Sequence, residues 1–125
     1  MDDLQRLLSH MDPELRPGEF VFVVSDAEDA EATVVEPEGR SAVLRRERAD
    51  ELGLGYDFVA AWITLRVHSA LDAVGLTAAV SSALAGAGIS CNVIAGVHHD
   101  HLLVPGERAG EALAVLAALG RGPGG

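Results

Sequence analysis

Apolar and polar positions change period several times along the first half of the chain. Leu4, Leu7, Leu8 and Met11 recur at helical spacing behind acidic residues, which predicts a short amphipathic helix stopped by Pro13. Residues 19–25, Glu-Phe-Val-Phe-Val-Val-Ser, are rich in β-branched and aromatic side chains and predict a strand. The acidic stretch 26–31 predicts a loop or a single turn, and 32–35 and 41–44 two strands joined by a turn over 36–40. Residues 45–52 predict a helix ended by Gly53 and Gly55.

The second half has a firmer pattern. Residues 59–68 predict a long strand with Ile63, Leu65 and Val67 on one face and Trp62, Thr64 and Arg66 on the other. Asp72 is a candidate N-cap for a helix to about residue 85 whose apolar stripe is Leu76, Val80, Ala83, Leu84 and Ala87, with Gly86 and Gly88 as its stop. Strands follow at 89–97 and 101–104, with His98, His99 and Asp100 in the turn between them. A closing helix spans 107–119 with Ala109, Ala112, Leu113, Leu116 and Leu119 inward, and the glycine-rich tail 120–125 is expected to be disordered. This half reads β-α-β-β-α, and the first half offers a reduced version of the same order. The expected fold class is therefore α+β, with helices packed on one face of a mainly antiparallel sheet.

Charge separates the halves further. Residues 1–57 carry six arginines and fifteen carboxylates, residues 58–125 three and four, so the first half should be the more solvated. A net charge of −10 without any lysine gives no electrostatic footprint for phosphate backbones or anionic lipid, so neither nucleic acid nor a membrane surface is expected as a partner. No apolar run approaches the ~20 residues of a membrane-spanning helix, and the acidic start does not resemble a secretory signal, which makes the cytoplasm the expected location. Cys91 is the single cysteine, so no intrachain disulfide can form.

The run 63–80, Ile-Thr-Leu-Arg-Val-His-Ser-Ala-Leu-Asp-Ala-Val-Gly-Leu-Thr-Ala-Ala-Val, followed by 84–94, Leu-Ala-Gly-Ala-Gly-Ile-Ser-Cys-Asn-Val-Ile, resembles an ACT domain. The segment 13–22, Pro-Glu-Leu-Arg-Pro-Gly-Glu-Phe-Val-Phe, and the segment 99–105, His-Asp-His-Leu-Leu-Val-Pro, extend the resemblance to stand-alone bacterial proteins with tandem ACT-like units. The resemblance implies two ferredoxin-like units, a degenerate one over 1–57 and an ACT domain over 58–119. It also implies a non-catalytic regulatory role: binding of an amino acid or similar small metabolite at an interface between paired units, no cofactor, a homodimer, and a metabolic enzyme such as aspartate kinase as the kind of partner such modules serve.

The ligand set so implied is Asp72, Ala73, Val74, Gly75 and Leu76, with Asn92 and Ile94. Independently of the family, a helix N-terminus near Gly75 would offer unpaired N–H groups and partial positive charge to a carboxylate. Glycine there permits close approach, and Asn92 supplies a donor and an acceptor. Simple capping, helix–sheet packing and strand-end roles would equally account for Asp72, Gly75 and Asn92. A metal site is the competing chemistry, with His99 and His101 two apart on a strand and His68 approaching them. A pure interaction module is the third reading. Cys91 reads as a small hydrophobe, Trp62 as strand packing, and Arg45, Arg46 and Arg48 as a solvated helix face making local ion pairs.

Overall fold

In the computed structural model, which describes residues 3–68, 71–72 and 74–122, every predicted strand and helix forms, with shifted bounds and one added strand. The elements are α1 (Asp3–Ser9), β1 (Pro13–Leu15), β2 (Phe20–Val24), β3 (Ala32–Glu36), β4 (Gly39–Arg45), α2 (Arg46–Glu51), β5 (Val59–Leu65), α3 (Leu76–Gly86), β6 (Asn92–Ala95), β7 (Asp100–Pro105) and α4 (Ala109–Arg121). All strand pairs are antiparallel, in the order β3-β4-β2-β5-β7-β6, with β1 also on β5.

β5 holds the molecule together. Its first residues pair with β2 (Phe20↔Ala60, Val21↔Val59) and its last with β1 (Pro13↔Leu65, Leu15↔Ile63), while β7 runs along its other side. The strand thus closes a β2-β4-β3 unit and opens a β5-β7-β6 unit, and β1 returns from the N-terminus to flank the second. Two ferredoxin-like units in tandem result, with one strand in common.

The alternation of side chains sorts the chain onto two faces. Ile63 and Leu65 point to one face with Leu102 and Val104, where α1, α3 and α4 bury Leu8, Leu76, Val80, Leu84, Ala112 and Leu116. Register places Val21, Leu44 and Val59 on the same face, covered by Ala49 of α2. All four helices therefore lie on one side, as the pattern predicted. Each leucine so buried contributes about 1.5–3 kcal/mol of transfer free energy.

On the other face Phe20, Val43, Ala60, Trp62 and Leu103 are buried without any helix, because the sheet curls. The curl brings the two free edges together: Ile94 of β6 lines the same hollow as Ala32, Val34 and Glu36 of β3.

Several boundaries differ from expectation. α1 stops at Ser9, short of Met11, and Pro13, expected to end it, begins β1, a three-residue strand that exists through its pairing with β5. β6 covers only Asn92–Ala95, since Ile89 is buried in the helix-side core before the strand starts. Gly120 and Arg121, expected in a disordered tail, continue α4. Gly120 passes so close to α1 that an added Cβ would lie 2.9 Å from the Leu8 carbonyl oxygen. The rest of that tail, 123–125, lies outside the described residues.

Candidate ligand site

α3 starts later than the sequence suggests, at Leu76, and its N-cap is Gly75 rather than Asp72. Gly75 sits at φ +110°, a conformation that L side chains rarely adopt, and an added Cβ would lie 3.3 Å from Leu4 of α1. This explains the glycine: it turns the chain sharply where α1 leans on it. The Gly75 carbonyl accepts the Ala79 N–H at 2.8 Å, while no side chain among the described residues caps the N–H groups of the first turn. Those N–H groups and the partial positive charge of the helix end are open to an anion.

The loop ahead of this end is unusually apolar for an exposed segment. Leu71 is 67 % and Val74 92 % exposed, with Asp72 exposed between them. Asp72 makes no hydrogen bond or ion pair among the described residues, so its carboxylate is not spent on capping. Ala73 lies outside the described residues. Val97, 69 % exposed in the β6–β7 turn, stands at the same end of the sheet, because Leu65, Asp100 and Ala95 are in register there.

Within one chain the predicted set divides in two. Asn92 and Ile94 are on β6, which β7 separates from β5, the strand from which the loop leaves. Register puts both on the helix-free face (Asn92↔Leu103, Ile94↔His101), whereas α3 packs on the other. Asn92 also sits three residues, about 10 Å, from the end where the loop leaves.

The histidines do not gather as a metal site would require. Among the described residues no group of three or more His, Cys, Asp or Glu side chains is placed to hold a metal ion. His68 stands against His98, ring centroids 6.1 Å apart, and not against His99 and His101. The β6–β7 turn is closed by the Gly96 N–H donating to the His99 carbonyl at 2.9 Å.

His101 faces the hollow side instead. The Trp62 indole N–H donates to His101 Nδ1 and to Thr64 Oγ1, each at 3.2 Å, and Thr64 Oγ1 lies 3.0 Å from the same Nδ1. These partners make Nδ1 an acceptor and assign the ring proton to Nε2. Burial pushes His101 below the usual histidine range, with His99 and Arg16 adding to the shift and Asp100 opposing it. The folded state therefore resists a proton that the unfolded chain takes up near the ordinary value of 6.5. Stability from this group is complete above that pH and is lost as pH falls below it. An NMR titration should place the His101 midpoint below the ordinary value, and the urea midpoint should decline on acidification across the same range. A His101 midpoint at or above 6.5 would contradict this assignment.

The arginine cluster pairs mainly across elements. Arg46 bonds Tyr56 Oη at 2.8 Å and reaches Glu19 at 3.3 Å, and Arg48 pairs with Asp29 at 3.0 Å as well as with Glu51 of its own helix. Cys91 is partly buried, which raises its thiol pKa and leaves it unreactive. Sequence reasoning did not foresee that Arg16 lies 4.6 Å above the Trp62 ring and pairs with Glu31 at 2.5 Å. It also missed the hollow itself, although the alternation Phe20, Phe22, Val24 signals an apolar row on one face.

Comparison with known proteins gives this geometry a context. Residues 1–61 and residues 58–118 each match the sequence profile of the ACT domain. Among solved structures, a protein of unknown function from Vibrio cholerae is similar, with 45 % identity over 90 % of this chain and 92 % of that one and a TM-score of 0.81. An Agrobacterium tumefaciens protein shares 21 % identity over 86 % of this chain and 87 % of its own, with a TM-score of 0.65. The ligand-free regulatory subunit of aspartate kinase from Thermus thermophilus shares the fold at 11 % identity, covering 86 % of this chain and 95 % of its own, with a TM-score of 0.63. No curated protein sequence matches the chain.

Proposed function

Because the chain belongs to the ACT-domain family and carries two such domains in tandem, we propose that it senses an amino acid or a similar small metabolite with the uncapped N-terminus of α3. ACT domains are regulatory, non-catalytic modules, and a binding role of that kind is the premise here. In this reading the ligand carboxylate lies on the first-turn N–H groups beside Gly75, and the Asp72 carboxylate meets the ammonium. Val74 lines the side-chain end, and Leu76, its side chain buried in the core, offers its backbone N–H. The observation that carries the reading is a helix end that, among the described residues, no side chain caps, preceded by an exposed Asp72 with no partner among those residues.

Asn92 and Ile94 belong, in this reading, to an interface between two copies of the chain. β6 is a free edge, and antiparallel pairing of two β6 strands about a two-fold axis, Val93 opposite Val93, would set Asn92 of one copy opposite Ile94 of the other. Only the unit over 58–119 senses. In the unit over 1–57 residues 25–31 connect β2 to β3 with no helix, so no helix end exists there. The homodimer would act in the cytoplasm by passing ligand occupancy to a metabolic enzyme partner.

Thermal unfolding against the twenty amino acids tests this. A specific ligand at a hundred times its Kd adds about 2.7 kcal/mol, a rise of roughly 10 °C for a domain of this size. Asp72→Asn and Asn92→Ala, both at exposed positions, should each reduce the rise without lowering the melting temperature of the free protein. A flat panel removes the amino acid from the proposal. A response untouched by both variants removes the site, and a monomer in light scattering with ligand present removes the contribution of the second copy.

A further inference from the structure

We propose that the hollow between the free edges of the sheet is a second binding site, selective for a small primary amine with a branched or aromatic apolar tail. It lies on the face opposite α3 and owes nothing to the carboxylate-binding helix end. Curling brings β3 and β6 around a space of about 350 Å³ lined mainly by Phe22, Val34, Val43 and Ile94, with Glu36 and Ser41 among the lining residues. That volume is in the range of small-molecule pockets.

The placement of aromatic residues supports the choice of tail. The chain has three phenylalanines and one tryptophan, and all four are on this face: Phe20 and Trp62 with centroids 5.3 Å apart, Phe22 and Phe58 6.2 Å apart. The helix-covered core is built from aliphatic side chains with Met11 and Cys91. Phe20 and Trp62 fill the depth of the curl and are roofed by the Arg16 guanidinium. Phe22 at 39 % and Val34 at 63 % exposure line the part left open. Apolar surface flanked by polar groups and open to solvent suits an apolar ligand more than it suits water.

The polar groups choose the head. Glu36 is the single charged residue of the lining, and its carboxylate accepts a hydrogen bond from the Ser41 hydroxyl. Among the described residues no arginine is within ion-pair distance of it, in contrast to Glu19, Glu31, Glu51 and Glu111. The Ser41 oxygen, having donated its proton, keeps its lone pairs. Acceptors at one end of an apolar hollow fit an ammonium, and the same carboxylate repels a carboxylate ligand.

The experiment uses the full chain with labelled valine and isoleucine methyl groups, titrated separately with 2-phenylethylamine and with 3-phenylpropionate, which carry the same ring on tails of opposite charge. The amine should shift the Val34, Val43 and Ile94 methyl signals saturably with a Kd in the millimolar range, as its few atoms allow. The acid should give no saturable shift. Glu36→Gln should weaken the amine roughly fivefold, as expected for an exposed ion pair. Val34→Trp, at an exposed edge-strand position where tryptophan is well accommodated, should fill the hollow and abolish the shifts. Equal binding of both probes, saturable shifts that survive both variants, or no saturable shift at all would each overturn the proposal. So would Val34 and Val43 methyl signals that respond to protein dilution and not to the amine, since a second copy would then occupy the hollow; Ile94, on β6, also reports the proposed contact between two copies. Loss of amino-acid sensing at α3 would leave every one of these outcomes unchanged.

Discussion

Trp62→Ala should lower the unfolding free energy by about 3–5 kcal/mol, the usual cost of emptying a buried aromatic site. Trp62 is only 4 % exposed although no helix covers its face. It packs on Phe20, receives the Arg16 guanidinium at 4.6 Å from its ring centre, and donates its N–H to His101 and Thr64. Truncation removes the ring from the inside of the curl and leaves Arg16 with no ring at Trp62 to stack on. Urea unfolding followed by far-UV circular dichroism gives the value directly. Trp62→Phe keeps most of the apolar contact and should recover the larger part of the loss. A cost below about 1 kcal/mol would mean that the helix-free face is a solvated surface and not a packed second core.

Leu84→Ala should cost about 2–5 kcal/mol and should do so in a single transition. Leu84 is fully buried where α3 meets α4 and the sheet. Its unit is joined to the other through β5, which pairs with β2 at one end and β1 at the other while β7 runs alongside. Neither unit can lose β5 and keep its sheet, so a lesson about cooperativity follows from topology alone. Far-UV circular dichroism reports the helices, and Trp62 fluorescence reports the opposite face. The two should shift together in the variant. Separate midpoints would show that the units unfold independently and that sharing a strand does not couple them.

The legibility of this molecule varies with the range of the interaction that fixes each part. β2, β4 and β5 are readable because β-branched and aromatic runs give strands their local preference, and α4 because its apolar stripe repeats at helical spacing. β1 is three residues with no alternation to read, and its pairing with β5 decides it. Asp72 was a reasonable cap by type, but α1 leaning on Gly75 sets where α3 begins, and that contact joins residues far apart in the chain. The ligand set shows the same limit. Gly75 and Asp72 are close in sequence and stay close in space, whereas the strand order that separates Asn92 and Ile94 from them is one that composition does not reveal.

By itself the sequence determined the α+β class, the β-α-β-β-α order of the second half with its reduced counterpart in the first, the one-sided placement of helices and the residues of the resemblance. These rest on periodicity, propensity and spacing, which are local properties of the chain. Only the tertiary structure decided that one strand serves both units, that β6 is a free edge, and that the sheet curls until its two edges share a hollow. Those features arise from pairing, twist and packing summed over the whole sheet, so no single segment encodes them.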